Sequence, residues 1–182
     1  MSDQTDAETE AAPVELPEPE RLHGALVSHG LDNDVLFPER ENYVALLKAL
    51  RADGYFMAID LCGVDYLTHP GRTLPDGVVA ERFEVVTQLI RHSDGSRLRV
   101  RVQVPAQEPS IASVCDLFPG VEAMEREAYD MFGIVFEGHP DLTRILMPDE
   151  WSGHPLRKDY AVGRIPVQFK AAPIRGTREV QR

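Results

Sequence analysis

The alternation of Arg97 to Val104 constrains the fold more than any other stretch. Leu98, Val100, Val102 and Val104 point one way, and Arg97, Arg99, Arg101 and Gln103 the other. Only a pleated strand has that period of two, since a helix would scatter the four apolar side chains around its circumference. Just upstream, Arg82 to Arg91 reads as a second strand, and the link Ser93-Asp94-Gly95-Ser96 carries the Asp-Gly pair of a tight hairpin. One face of this sheet must pack on helices; the other is wet or meets a partner. The arginine row reads as a solvated face, the usual fate of charged strand positions.

The neighbouring segments extend this plan. Tyr55 to Leu61, continuing through Cys62 to Leu67, is rich in aromatic and branched residues and runs into the turn cluster His69-Pro70-Gly71, so residues 68–80 read as a loop. Val35 to Phe37 is a brief strand. Three helices are expected before residue 120. Glu18 to His29 places Leu22, Ala25, Leu26 and His29 at helical spacing with Gly30 as its stop. Pro38 opens the second, where Glu39 and Glu41 favour the N-terminal dipole and Val44, Leu47 and Leu50 form the stripe, up to Arg51 and Gly54. Ser110 caps a short third helix through Val114 and Leu117, broken by Pro119-Gly120. The fold class is therefore α+β, a mainly antiparallel sheet flanked by helices.

At 182 residues, 43% of them hydrophobic, the chain can bury one core. Residues 1–17 combine acid, Ala, Thr and Pro and read as a disordered acidic tail, 18–136 as the α+β domain, and 137–182 as an extended C-terminal arm docking on a partner subunit. Charge supports that division. The net charge is -11, yet residues 151–182 hold seven basic residues against Asp159 and Glu179, a basic end that points to an acidic partner surface. An acidic chain of this kind excludes nucleic acid as a partner. Two cysteines, Cys62 and Cys115, with no Cys-x-x-Cys, offer neither a disulfide framework nor a cluster or zinc ligand set; isolated buried thiols in a reducing cytosol are expected. No presequence or span is visible, so a membrane is touched only indirectly.

The richest local pattern follows Pro119-Gly120. A helix from Val121 to Phe132 puts Val121, Met124, Ala128, Met131 and Phe132 on one stripe and Glu122, Arg126 and Asp130 four apart on another, with Gly133 as the stop. That charged ladder is either self-paired in solvent or a docking face of Glu125, Arg126 and Asp130, and spacing does not choose. Two Gly-His-Pro triplets follow, at 138–140 and 153–155. His139 and His154, with Asp141 and Asp159 nearby, invite a metal or acid-base reading. The favoured reading is structural: Gly supplies a bend, Pro holds each His extended, and both cysteines are remote in sequence. No catalytic, cofactor-binding or metal residue is therefore assigned.

These residues carry a resemblance. Glu125-Arg126-Glu127, Asp130-Met131-Phe132-Gly133-Ile134, Gly138-His139-Pro140-Asp141-Leu142, Arg144-Ile145-Leu146 and Gly153-His154-Pro155-Leu156-Arg157-Lys158-Asp159-Tyr160 resemble the signature of the thirty-kilodalton (C-type) subunit family of the proton-pumping NADH:quinone oxidoreductase, respiratory complex I. Thr143 departs from it, standing where the family usually has a basic residue or Pro. The resemblance implies a scaffold subunit of the peripheral arm, peripheral on the cytoplasmic side of a bacterial membrane, supporting electron transfer from NADH to quinone without chemistry of its own. FMN and iron-sulfur clusters would lie in partner subunits, of which the forty-nine-kilodalton (D-type) subunit is foremost and the B-type and other peripheral-arm subunits are further. Docking would fall to Glu125, Arg126, Asp130, His139, Asp141, Arg144, His154, Arg157, Lys158, Asp159 and Tyr160. The alternative is the equivalent subunit of a membrane-bound hydrogenase or another quinone dehydrogenase.

Overall fold

The computed structural model describes residues 19–31 and 33–161; the acidic tail expected over 1–17 and the arm beyond residue 161 lie outside the described residues. Along the chain the elements are β1 (Arg21–Leu22), β2 (Ala25–His29), β3 (Asp34–Phe37), α1 (Tyr43–Ala52), β4 (Met57–Asp65), β5 (Phe83–Ile90), β6 (Arg97–Val104), β7 (Ser110–Ala112), α2 (Glu122–Phe132) and β8 (Val135–Glu137). Six strands form one sheet in the order β1-β2-β3-β6-β5-β4, antiparallel except where β3 lies beside β6, while β7 and β8 make a small parallel pair. The fold is thus the expected α+β class.

The alternation in β6 sets the packing. Val100, Val102 and Val104 are fully buried, and in register with them Val85, Thr87 and Phe83 of β5 point to the same face. Tyr43 of α1 hydrogen-bonds Thr87 there (2.7 Å), and Leu46, Leu47 and Leu50 fill in beneath it. Burying each such leucine contributes about 1.5–3 kcal/mol relative to leaving it exposed. Gly63, paired with Val85, lies on the same face against α2: a Cβ there would stand 2.9 Å from a Phe132 ring carbon. Both helices therefore cover one face.

The other face is not the solvated arginine row that the pattern implied. Glu84 of β5 is fully buried there and receives Arg101 through Nε (2.6 Å) and Nη2 (3.0 Å) and Gln103 through Nε2 (2.6 Å). Arg72, from the loop after β4, lies on the Tyr66 ring (3.7 Å to its centroid) and donates to Gln103 Oε1 (2.6 Å). A buried carboxylate on the neighbouring strand draws the row inward, because an unpaired charge there would be prohibitive. Arg97, at the sheet's end, stays exposed.

Two expected helices are strands. The Glu18–His29 segment is the β1–β2 hairpin, turning at His23 (φ 49°) and Gly24 (φ 84°), and β2 pairs with β3 from Leu26–Phe37 to His29–Asp34. Four apolar positions fit either period, and sheet pairing decided between them. The Ser110 segment is β7, whose Ile111 is buried opposite Phe136; a long-range pairing outweighed a local cap signal. Cys62, expected to be buried, is exposed on the edge strand β4, while Cys115 is buried.

Candidate docking site

α2 starts from a single 3-10 turn at Pro119–Val121 and stops at Gly133 in the left-handed conformation (φ 71°), as its sequence implies. Val121, Ala128 and Met131 are buried and Met124 and Phe132 half-buried. The charged ladder does not form. Asp130 is fully buried, and its carboxylate organises the chain that follows β8. Oδ2 accepts the backbone N–H of Ile145 (3.1 Å), Leu146 (2.8 Å) and Met147 (2.8 Å), and Oδ1 accepts Arg144 Nη1 (2.5 Å). Burial alone would raise the Asp130 pKa; the bonds from Met147, Leu146, Arg144 and Ile145 outweigh it and hold the carboxyl below its usual range. Arg126 turns away from both acids and donates to Thr143 O (3.1 Å), Thr143 Oγ1 (2.8 Å) and Arg144 O (3.1 Å), so Thr143 makes a contact of its own.

The second Gly-His-Pro closes the helix end. The last turn of a helix leaves carbonyls without partners. Here His154 Nδ1 donates to Asp130 O (2.9 Å), the Leu156 N–H to Met131 O (3.1 Å) and Arg157 Nε to Phe132 O (2.5 Å). A guanidinium there also meets the negative end of the helix dipole. Burial, with Arg157 and Arg144 nearby, lowers the His154 pKa, so the ring is neutral when packed. One residue on, the chain crosses to the sheet. Arg82 holds Asp65 (2.9 Å) and Asp159 (2.8 Å) through one nitrogen, and the Lys158 N–H donates to Asp65 Oδ2 (2.9 Å). Asp65 is desolvated yet its pKa is lowered by Arg82 and by the backbone N–H groups of Lys158 and Leu67; that of Asp159 is lowered chiefly by Arg82.

The first Gly-His-Pro is a turn as well. Asp141 N–H donates to His139 Nδ1 (3.0 Å), which leaves the proton on Nε2 to donate to Glu122 O (3.2 Å). Glu125, one helical turn on, is fully buried and accepts the Ser113 hydroxyl (2.6 Å), the Val114 N–H (2.8 Å) and the Cys115 thiol (3.3 Å). Burial pushes that thiol up to about 11. Cys115 is therefore not remote from His139: the fold brings it beside Glu125 and His139.

Residues 138–161 hold no helix or strand, yet they are fastened to α2 and the sheet along their length. The family model for the "respiratory-chain NADH dehydrogenase, 30 Kd subunit" matches residues 37–165, more than half of the chain and all of this construction. The chain belongs to this thirty-kilodalton subunit family. It is 43% identical over 147 residues to NADH-quinone oxidoreductase subunit 5 of Thermus thermophilus, covering 78% of this chain and 68% of that one. It is also 42% identical over 154 residues to the NADH-quinone oxidoreductase C/D subunit of Bdellovibrio bacteriovorus, covering 80% of this chain and 26% of that longer protein. Among solved structures, a trypsin-resistant fragment of Nqo5 superposes with a TM-score of 0.57 at 41% identity, over 65% of this chain and 90% of that one. A chain of an archaeal membrane-bound sulfane sulfur reductase shares the fold, with a TM-score of 0.62 at 22% identity over 75% of this chain and 77% of that one.

Most of the residues expected to dock spend their side chains inside the chain. Glu125, Arg126, Asp130, His139, Arg144, His154, Arg157 and Asp159 all bond within it. Among the described residues, the side chains of Asp141, Lys158 and Tyr160 make no hydrogen bond, and Ile145, Leu146 and Leu156 are exposed. Asp65, Arg82 and Glu84 were missed by motif reasoning. Their signal was an acid or base within or at the end of an otherwise apolar strand stretch, which burial tolerates only when it is paired.

Proposed function

We propose that this chain is a scaffold subunit of the peripheral arm of a proton-translocating NADH:quinone oxidoreductase, on the cytoplasmic side of a bacterial membrane. It supports electron transfer by fixing geometry, while FMN and iron-sulfur clusters sit in partner subunits. The observation that carries the reading is the Asp130 carboxylate collecting three consecutive backbone N–H groups and Arg144, within a family match that spans the motif. Such a clamp shapes a chain segment; it has no free nucleophile or base. By this division the α+β domain of residues 18–136 is the body and residues 137–182 are the arm. Asp130, Arg126 and His154 fold the arm's root, and Ile145, Leu146, Leu156, Asp141 and Lys158 are the side chains it offers outward, with Tyr160 half-buried against Gly153.

The foremost partner is the forty-nine-kilodalton (D-type) subunit, with the B-type further on. The Bdellovibrio relative is named for both C and D, which fits C-type and D-type segments placed side by side in one chain. The basic residues beyond Gly163 complement an acidic partner surface. Affinity capture of the tagged full chain from detergent-solubilised membranes tests this: flavin- and cluster-bearing NADH dehydrogenase subunits, the D-type among them, should co-elute. Hydrogenase-type or sulfur-reductase-type subunits in their place would select a related complex, and recovery of neither group would overturn the reading.

A further inference from the structure

We propose that Cys115, Glu125 and His139 form a binding site for one divalent cation of the zinc class. Their ligand atoms all lie within 4.8 Å of one another, although the three residues come from the turn after β7, from α2 and from the turn after β8. The β7–β8 pair brings those turns together, reinforced where Ser113 N–H donates to Glu137 O (2.8 Å).

Glu125 supplies an independent indication. Its side chain is fully buried, and among the described residues no Arg or Lys comes within ion-pair distance; its three donors are a hydroxyl, a backbone N–H and a thiol. The other buried acids each have an arginine: Asp65 has Arg82, Glu84 has Arg101 and Asp130 has Arg144. A buried carboxylate is ordinarily paired with a cation or bound to a metal. The donor set decides the class, because thiol, imidazole and carboxylate together suit zinc, whereas magnesium and calcium take oxygen alone. Ser113 and Val114 already orient both Glu125 oxygens, the part that outer contacts play at metal sites.

Coordination asks little of the fold. Zinc-ligand bonds of about 2.0–2.3 Å set tetrahedral ligand atoms roughly 3.5 Å apart. Cys115 Sγ and Glu125 Oε2 already stand 3.3 Å apart, so the approach asked for, at most about 1 Å, falls to His139. His139 is half-exposed and can make that movement; coordination through Nδ1 gives up the Asp141 N–H and keeps the Nε2–H bond to Glu122 O, whereas coordination through Nε2 gives up both. Cys115 binds as thiolate and releases its proton to solvent, and water fills the fourth position. The bound ion ties the root of the arm to α2.

The test is titration of the purified, metal-free full chain with Zn2+ by calorimetry and with Co2+ by absorption. One equivalent should bind, with a thiolate-to-cobalt charge-transfer band. Cys115→Ser should abolish the band, and Cys115→Ser and His139→Gln should each weaken binding at least about tenfold. Circular dichroism should find both variants folded, which is not expected of Glu125→Gln because that side chain is fully buried. No saturable binding of either ion, or binding unchanged by either substitution, overturns the proposal.

Discussion

Replacing Asp130 by alanine removes one acceptor from four donors. Four charge-assisted hydrogen bonds at about 1.5–3 kcal/mol each would nominally amount to about 6–12 kcal/mol. Most of that is recoverable. Ile145 and Leu146 are 41% and 60% exposed, so their freed N–H groups reach water as soon as the segment lifts away. The unrecovered part is Arg144, held against α2 by Asp130 and by Gly153 O (3.0 Å), and losing one partner of a buried pair costs about 3–5 kcal/mol. Segment release absorbs some of this, so the expected global destabilisation in urea is about 2–3 kcal/mol, with local opening of residues 144–147 easier by about 3 kcal/mol. Exchange of those amides, followed by mass spectrometry, should then accelerate roughly a hundredfold, since 1.4 kcal/mol is about tenfold. Asp130→Asn, which keeps the shape and loses the charge, should fall between. Unchanged exchange at 145–147 in Asp130→Ala would refute the reasoning, because no other described group holds those three amides.

Gly133→Ala should destabilise by at least about 1–2 kcal/mol in denaturant and loosen residues 154–157, because φ is 71° and a Cβ would stand 2.5 Å from His154 Nε2 and Arg157 Nη2. Acid should loosen the arm in two stages. The His154 pKa is lower folded than unfolded, so its contribution is fully present above about pH 6.5 and is lost as pH falls from there towards the folded value; an NMR titration of the ring reads this directly. Asp130, Asp65 and Asp159 have depressed values, so their share persists above about pH 4 and is lost only as pH falls through the folded values, read as a fall in melting temperature. Arg82→Lys, which forfeits the fork across Asp65 and Asp159, should cost about 1–2 kcal/mol, and a double-mutant cycle with Asp159→Asn should show less than about 1 kcal/mol of coupling, since Asp159 is half in water.

The sheet's core was legible because its signal is local and periodic. β5, β6 and their Asp-Gly link follow from alternation, and α1 and α2 from their apolar stripes together with the stops at Gly54 and Gly133. The segments at 18–29 and 110–117 were not legible, since each is too short to separate a period of 3.6 from one of two and only the distant partners β3 and β8 decide. In the candidate site, the turn character of both Gly-His-Pro triplets was readable from Gly and Pro alone. That Asp130 faces inward to Ile145–Met147, and that Cys115 meets Glu125 and His139, was not, because both depend on where α2 lands against segments 10–17 residues away with no repeating spacing.

The central claim is that the segment after β8, shaped by α2, is what attaches this subunit to its neighbours. Its most direct test compares affinity capture by the full chain with capture by a chain ending at Gly138, which keeps β8, after circular dichroism has verified that the shortened chain is folded. The account predicts that the shortened chain loses the D-type partner and the flavin- and cluster-bearing polypeptides that come with it. Equal recovery of those polypeptides by the folded, shortened chain would contradict it and move the docking surface onto the α+β domain.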